Sequence, residues 1–119
     1  MIDSEPTHLF VYGTLKSDSG HPMHDVLARA ADLRGVATVH GELRRVGEHA
    51  ALLPRDDSPA TVTGELYEIR SNGAKRLLET LDAYEGITDA PDDHYRRDVI
   101  LATMADGRDC RAWVYVLKS

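Results

Sequence analysis

Hydrophobic and polar positions recur along this chain in two rhythms, one of period two and one of period three to four, and these mark out its elements. His8-Leu9-Phe10-Val11-Tyr12 is a β-branched and aromatic run stopped by Gly13, which predicts a first strand. Thr14 to Pro22 is a polar loop holding Lys16, Ser17, Asp18, Ser19 and Gly20. From Pro22 to Asp32 the period lengthens, and Met23, Val26, Leu27, Ala30 and Ala31 fall on one face of a helix. Leu33 to Val46 reads as extended, with Val36, Val39 and Leu43, and Gly41 is expected to be a bulge or a point of close backbone approach. A turn near Gly47 leads into a short strand, Ala50 to Leu53, closed by Pro54. After a charged loop from Arg55 to Pro59, Thr61 to Ile69 returns to period two, with Val62, Gly64, Leu66 and, at its end, Glu68 on one face.

The second helical pattern runs from Ser71, a predicted N-cap, through Ala74, Leu77, Leu78, Leu81 and Tyr84 to a stop at Gly86. Ile87 to His94 is an acidic loop carrying Asp89, Asp92 and Asp93. Two strands follow, Tyr95 to Met104 and Asp109 to Leu117, joined across Asp106-Gly107, a strong hairpin signal. The order is strand, helix, several strands, helix, hairpin. It lacks the regular βαβ alternation of a parallel sheet and predicts an α+β fold with a curved or closed antiparallel-rich sheet.

One residue breaks the pattern. At about 100° per residue, Glu85 falls within about 20° of Ala74, in the middle of the apolar stripe, whereas Glu79 and Asp82 fall on its flank or on the wet face. Helix geometry leaves two outcomes open: the last turn frays and Glu85 swings into water, or it holds and Glu85 stays against the core. In the second case burial and the negative end of the helix dipole both raise its pKa. A carboxylate tuned toward neutrality suits general acid/base chemistry.

Composition narrows the function classes. The 119 residues fit one domain, with residues 1–7 expected to be a short disordered lead and 8–119 the domain itself. A hydrophobic share of 42% and a charged share of 29% suit an ordinary soluble protein. The net charge of −6 argues against nucleic acid or an anionic membrane as partner. No apolar run approaches the ~18 residues of a membrane span, and the polar start lacks the order of a signal peptide. With Cys110 alone, no internal disulfide forms, so a cytoplasmic location is the expectation.

Candidate chemistry gathers at a few places. Where the first strand ends in Val11-Tyr12-Gly13-Thr14-Leu15-Lys16, a sharp turn exposes successive backbone N–H groups that can form an anion or oxyanion nest; an ordinary strand-to-loop turn is the plainer reading. It is not a P-loop, since the Gly-Lys-Ser/Thr ending is missing. Of the six histidines only His21 and His24 have ligand-like spacing, so no metal site is assigned. Cys110 lies inside a strand pattern and reads as a small hydrophobe, and Thr14 and Ser17 have no base to activate them. Tyr95 and Arg97 share one strand face, as do Trp113 and Tyr115 on the next. Either these form a solvated edge, or they point inward and need a carboxylate such as Glu85.

Four motifs then combine. Tyr12-Gly13-Thr14-Leu15-Lys16 after the first strand, Gly64-Glu65-Leu66-Tyr67 before the second helix, Leu81-Asp82-x-Tyr84-Glu85-Gly86 at its end, and Tyr95-x-Arg97 opening the next strand together resemble the gamma-glutamylcyclotransferase-like family. The resemblance runs from about His8 to Leu117, and the Tyr-Gly-Thr-Leu-Lys form is similar to the gamma-glutamylamine cyclotransferase branch. It implies a small mixed, antiparallel-rich β-barrel with two flanking helices, and no cofactor. It also implies a reaction in which the α-amine of a gamma-glutamyl amine or amide attacks its own γ-carbonyl, giving 5-oxoproline and a free amine. The family's catalytic glutamate maps onto Glu85, its substrate loop onto Tyr12, Gly13, Thr14 and Leu15, and a supporting position onto Tyr95 and Arg97. The implied partner is a small gamma-glutamyl molecule, with no nucleic acid and no membrane, and with the oligomeric state and the leaving amine unspecified. Two departures stand out: Gly41-Glu42-Leu43-Arg44 and His49-Ala50 replace segments in which family members often carry tyrosine. The alternatives are a non-catalytic binding or regulatory domain on the same fold, and an enzyme cleaving a related acyl-amine bond.

Overall fold

The computed structural model describes residues 6–46, 49–55, 57–88, 90–91 and 93–118. In chain order its elements are β1 (His8–Val11), α1 (Pro22–Ala30), β2 (Ala31–Val46), β3 (His49–Pro54), β4 (Thr61–Ile69), a 3-10 turn (Ser71–Gly73), α2 (Ala74–Tyr84), β5 (Tyr95–Met104) and β6 (Asp109–Leu117). The turn predicted near Gly47, residues 1–5 of the predicted lead, and Asp89 and Asp92 of the acidic loop lie outside the described residues.

Backbone pairing closes five strands into a ring. β1 pairs with β4, β4 with β2, β2 with β5 and β5 with β6, all antiparallel, and β6 returns parallel to β1 at Leu9 and Trp113. β3 is an added strand, antiparallel to β2 and parallel to β6 at Leu52 and Val116. The fold is therefore α+β with a closed, antiparallel-rich sheet, as the order of elements predicted, and it is the small mixed barrel with two flanking helices that the family resemblance implied. Closure leaves few sheet edges to be capped.

Alternation along each strand supplies two cores rather than one. Phe10, Val39, Leu52, Val62, Leu66 and Val114 fill the barrel. The other faces of β1 and β4 present Leu9, Val11, Tyr67 and Ile69 to Leu27 of α1 and to Leu77 and Leu81 of α2. The apolar stripes read from the sequence thus define the surface by which each helix covers the barrel. Glu68, assigned to the inner face by strict alternation, is half-buried and ion-paired to Arg34 at 2.6 Å. The barrel end is open enough there for both groups to stay wetted.

Helix limits are set by tertiary contacts. α1 stops two residues short of the predicted Asp32, because Ala31 pairs with Ile69 and Asp32 with Glu68 in the β2–β4 ladder. The Arg70 N–H also takes the Ala30 carbonyl, and its guanidinium pairs with Asp32 at 2.6 Å. Ser71 does not cap α2; it opens the 3-10 turn, and Gly73 precedes the helix without a side-chain cap.

Glycine positions explain the barrel's curvature. Register shifts between Leu33 and Gly35, so the bulge sits there rather than at Gly41. Gly41 instead allows close approach: a Cβ would stand 2.7 Å from the Leu53 carbonyl oxygen. Gly64 is tighter still, since a Cβ would overlap the Val11 carbonyl oxygen and lie 2.7 Å from the Phe10 ring. Gly64→Ala is expected to cost about 2–3 kcal/mol, read as a lower urea midpoint at unchanged m-value.

Candidate active site

β1 runs directly into the loop that forms one wall of the site. The Lys16 N–H closes a turn on the Gly13 carbonyl at 3.0 Å, and Leu15 is buried beneath it against the helix-side core. Glu65 of β4 holds the far side of the loop, accepting the Ser17 N–H at 2.7 Å, the Ser17 hydroxyl at 2.5 Å and the Tyr67 hydroxyl at 3.3 Å. His24 of α1 adds a bond from Nδ1–H to the Leu15 carbonyl at 2.9 Å. So braced, the backbone N–H groups of Gly13, Thr14 and Leu15 donate to no partner among the described residues. Successive unengaged backbone donors on a braced turn are of the kind that can hold an anion.

The facing wall is the end of α2. Its last turn is intact: the Glu85 N–H bonds the Leu81 carbonyl at 2.9 Å, and Gly86 takes the left-handed conformation (φ +76°) that ends the helix. The frayed alternative is thereby set aside, and Glu85 stays on the core side. Burial pushes its carboxyl up to about 7, with no cation or hydrogen bond among the described residues to offset it.

Between the two walls lies a cleft of about 470 Å³. It brings together Tyr12, Gly13, Thr14 and Leu15 from the loop, Glu85 from α2 and Tyr95 from β5, as the sequence reading grouped them. Tyr12 offers its ring more than its hydroxyl. The hydroxyl donates to the Tyr115 carbonyl at 2.6 Å and accepts the Leu52 N–H at 2.9 Å, stapling β1 to β6 and β3. Burial pushes the Tyr12 phenol up to about 12, and burial with the nearby Glu85 also raises Tyr95. Both phenols stay neutral across the physiological range.

Arg97 is not in the cleft. It forms a two-point pair with Asp82, 2.8 Å from Nε and 3.2 Å from Nη2, and lies 4.3 Å over the Trp113 ring. Tyr115 donates to the same carboxylate at 2.7 Å. Asp82, not Glu85, is the acid that Arg97 requires, and Asp82 is not on the wet face. It pins the final turn of α2 to β5 and β6, one turn before Glu85. Sequence reasoning also missed Glu65 and Tyr84. The available signal was the i, i+3 spacing of Asp82 and Glu85, which places both on one side of a helix.

Other candidates resolve into supporting roles. His21 accepts the Met23 N–H at 3.1 Å as the cap of α1. Among the described residues no three His, Cys, Asp or Glu side chains gather to hold a metal ion. Cys110 is half-buried on β6, where burial raises its thiol. Of the two departures, Arg44 is exposed and paired to Glu42 at 3.0 Å, while Ala50 lines the cleft. No helix among the described residues is long and apolar enough to cross a membrane.

Residues 9–119 match the family model described as "Gamma-glutamyl cyclotransferase, AIG2-like". The chain belongs to this family. An AIG2-like protein from Mus musculus, solved by crystallography, is 31% identical, with a TM-score of 0.69 over 95% of this chain and 78% of that one. YkqA from Bacillus subtilis has the same fold at 21% identity and a TM-score of 0.69, and the chain spans only 36% of its length. A structure named gamma-glutamyl cyclotransferase shares the fold at 15% identity and a TM-score of 0.65, over 97% of this chain and 69% of that one. No curated protein sequence matches. In this AIG2-like member, the loop after β1 and the end of α2 face each other across the cleft.

Proposed function

We propose that this chain is a cyclotransferase that converts a gamma-glutamyl amine or amide into 5-oxoproline and a free amine. The observation that carries the reading is the pairing, across one cleft, of a buried carboxyl near neutrality with a row of unengaged backbone donors. Membership of the family and the similarity to the mouse AIG2-like protein support it. The lone cysteine supports a cytoplasmic location as part of the same reading.

The chemistry follows from what each group offers. The substrate brings its own nucleophile, so no activated Ser or Cys is needed. The Glu85 carboxylate takes a proton from the α-ammonium, and the freed amine attacks the γ-carbonyl to close a five-membered ring. The bond from the γ-carbon to the departing nitrogen then breaks as the Glu85 carboxyl returns its proton to that nitrogen. The second proton still on the ring nitrogen passes through the Glu85 carboxylate to the freed amine, which leaves as an ammonium. A carboxyl at about 7 is half-ionised at neutral pH and serves both steps. On this reading the N–H groups of Gly13, Thr14 and Leu15, which line the cleft without partners among the described residues, hold the substrate's α-carboxylate or its reacting carbonyl. Folding the substrate between the loop and α2 supplies the orientation that ring closure requires.

The rival reading is a binding domain without turnover. It leaves Glu85 unexplained, since a binding pocket gains little from an unpartnered buried acid that costs free energy to ionise. Incubation of the protein with a panel of gamma-glutamyl amines and gamma-glutamyl amino acids, with 5-oxoproline measured by mass spectrometry, separates the two. Product from at least one panel member is the expected result. Micromolar binding of a member without product would transfer the assignment to the binding domain.

A further inference from the structure

We propose that the Thr14 hydroxyl is an additional hydrogen-bond donor to the substrate's reacting carbonyl, with its direction imposed by a hydrogen-bond chain that starts at the cap of α1. The inference rests on the cyclotransferase reading, and it adds a side-chain donor to the backbone ones.

The direction can be followed atom by atom. A backbone N–H can only donate, so the 3.1 Å bond from Met23 N to His21 Nδ1 requires that ring nitrogen to carry no proton. The neutral imidazole then bears its proton on Nε2, which lies 3.3 Å from the Tyr84 hydroxyl oxygen and donates to it. The Tyr84 hydroxyl has one other partner among the described residues, so its own proton goes to the Thr14 hydroxyl oxygen at 2.9 Å. Thr14 therefore accepts on one side and must donate on the other. Apart from Tyr84, no described residue bonds this hydroxyl, and Thr14 and Tyr84 both line the cleft beside Glu85.

The geometry is braced on both sides. The His21 and Tyr84 rings pack at 5.3 Å between centroids, tilted by 59°, and the Thr14 carbonyl is held by the Ser19 hydroxyl at 2.6 Å. Three hydrogen bonds in one direction polarise one another, which strengthens the terminal donor. A donor fixed before substrate arrives, next to the acid/base residue, matches the place where negative charge develops on a carbonyl under attack.

Four variants test the chain. Thr14→Val removes the hydroxyl at nearly constant shape, and kcat on any substrate the wild type turns over is expected to fall about 100-fold with KM little changed. Thr14→Ser should recover most of that loss. Tyr84→Phe cuts the chain but keeps the ring, and His21→Asn keeps a cap for α1 but removes the Nε2 donor; each should lower kcat about tenfold. Neither should deepen the defect of Thr14→Val, because all three act through one hydroxyl. A Thr14→Val enzyme with wild-type kcat, or Tyr84→Phe and Thr14→Val effects that multiply, would overturn the proposal and leave the cyclotransferase reading intact.

A second readout does not depend on turnover. The 15N shifts of His21 should show the Nε2–H form, and calorimetric binding of 5-oxoproline should weaken several-fold in Thr14→Val but not in Thr14→Ser. An Nδ1–H tautomer, or 5-oxoproline affinity indifferent to Thr14, would sink the assigned direction. A wild type that neither binds 5-oxoproline nor turns over any panel member would remove the proposal together with the reading beneath it.

Discussion

Glu85→Gln is expected to lower 5-oxoproline turnover about 1000-fold while making the protein more stable at pH 8. The two effects have one cause. Burial raises the folded-state pKa of Glu85 from 4.5 to about 7, so between those values the native state holds a proton that the unfolded chain has released. Stability due to this group therefore falls as pH rises from about 4.5 to about 7, and above that range the buried carboxylate costs up to about 3 kcal/mol. Glutamine keeps the shape and removes the charge. The urea midpoint of Glu85→Gln should exceed that of the wild type at pH 8, and the two should converge at pH 4. A variant that loses activity but gains no stability at pH 8 would mean that Glu85 is solvated.

The second large effect is expected at a residue outside the cleft. Asp82→Ala removes the acceptor for both Arg97 nitrogens and for the Tyr115 hydroxyl. Arg97 and Asp82 are each 24% exposed, so the guanidinium left behind over Trp113 is only partly relieved by water. A loss of about 3 kcal/mol is expected, at the lower end for a broken buried pair because of that exposure. Activity should fall as well, by about 100-fold, because the last turn of α2 loses its fixing point on β5 and β6 and Glu85 shifts with it. Asp82→Asn keeps the oxygen that accepts from Tyr115 and should lose less on both counts. Denaturation curves and kcat on the same samples decide the matter. An unchanged urea midpoint in Asp82→Ala would make the Arg97 pair a surface contact of little weight.

Most of the barrel was legible because its strands alternate cleanly and its hairpin carries Asp106-Gly107. Helix ends were less so. Ala31 and Asp32 continue the helical pattern locally, yet the pairing of Ala31 with Ile69 and of Asp32 with Glu68 draws them into β2. Ser71 has the chemistry of a cap, but the chain makes a 3-10 turn there instead. Gly41 proved to be the close-approach site of its two expected roles, while the bulge fell between Leu33 and Gly35, because a bulge is a property of the β2–β4 pairing, which one strand's sequence does not show. In the site, Glu85 was legible as an acid on an apolar face. Asp82 was not, since an acid on a helix flank reads as wet until a partner such as Arg97 is known to dock there. The Thr14, Tyr84 and His21 chain joins three distant segments, and no local pattern announces it.

The decisive measurement is the acid limb of kcat/KM for 5-oxoproline release, followed from pH 5 to pH 8 in the wild type. In the free enzyme the proton acceptor is the Glu85 carboxylate, so activity should rise tenfold per unit of pH and level off above a pKa near 7. A profile flat down to pH 5, as an ordinary exposed carboxylate would give, would contradict the assignment of Glu85 as the buried general base.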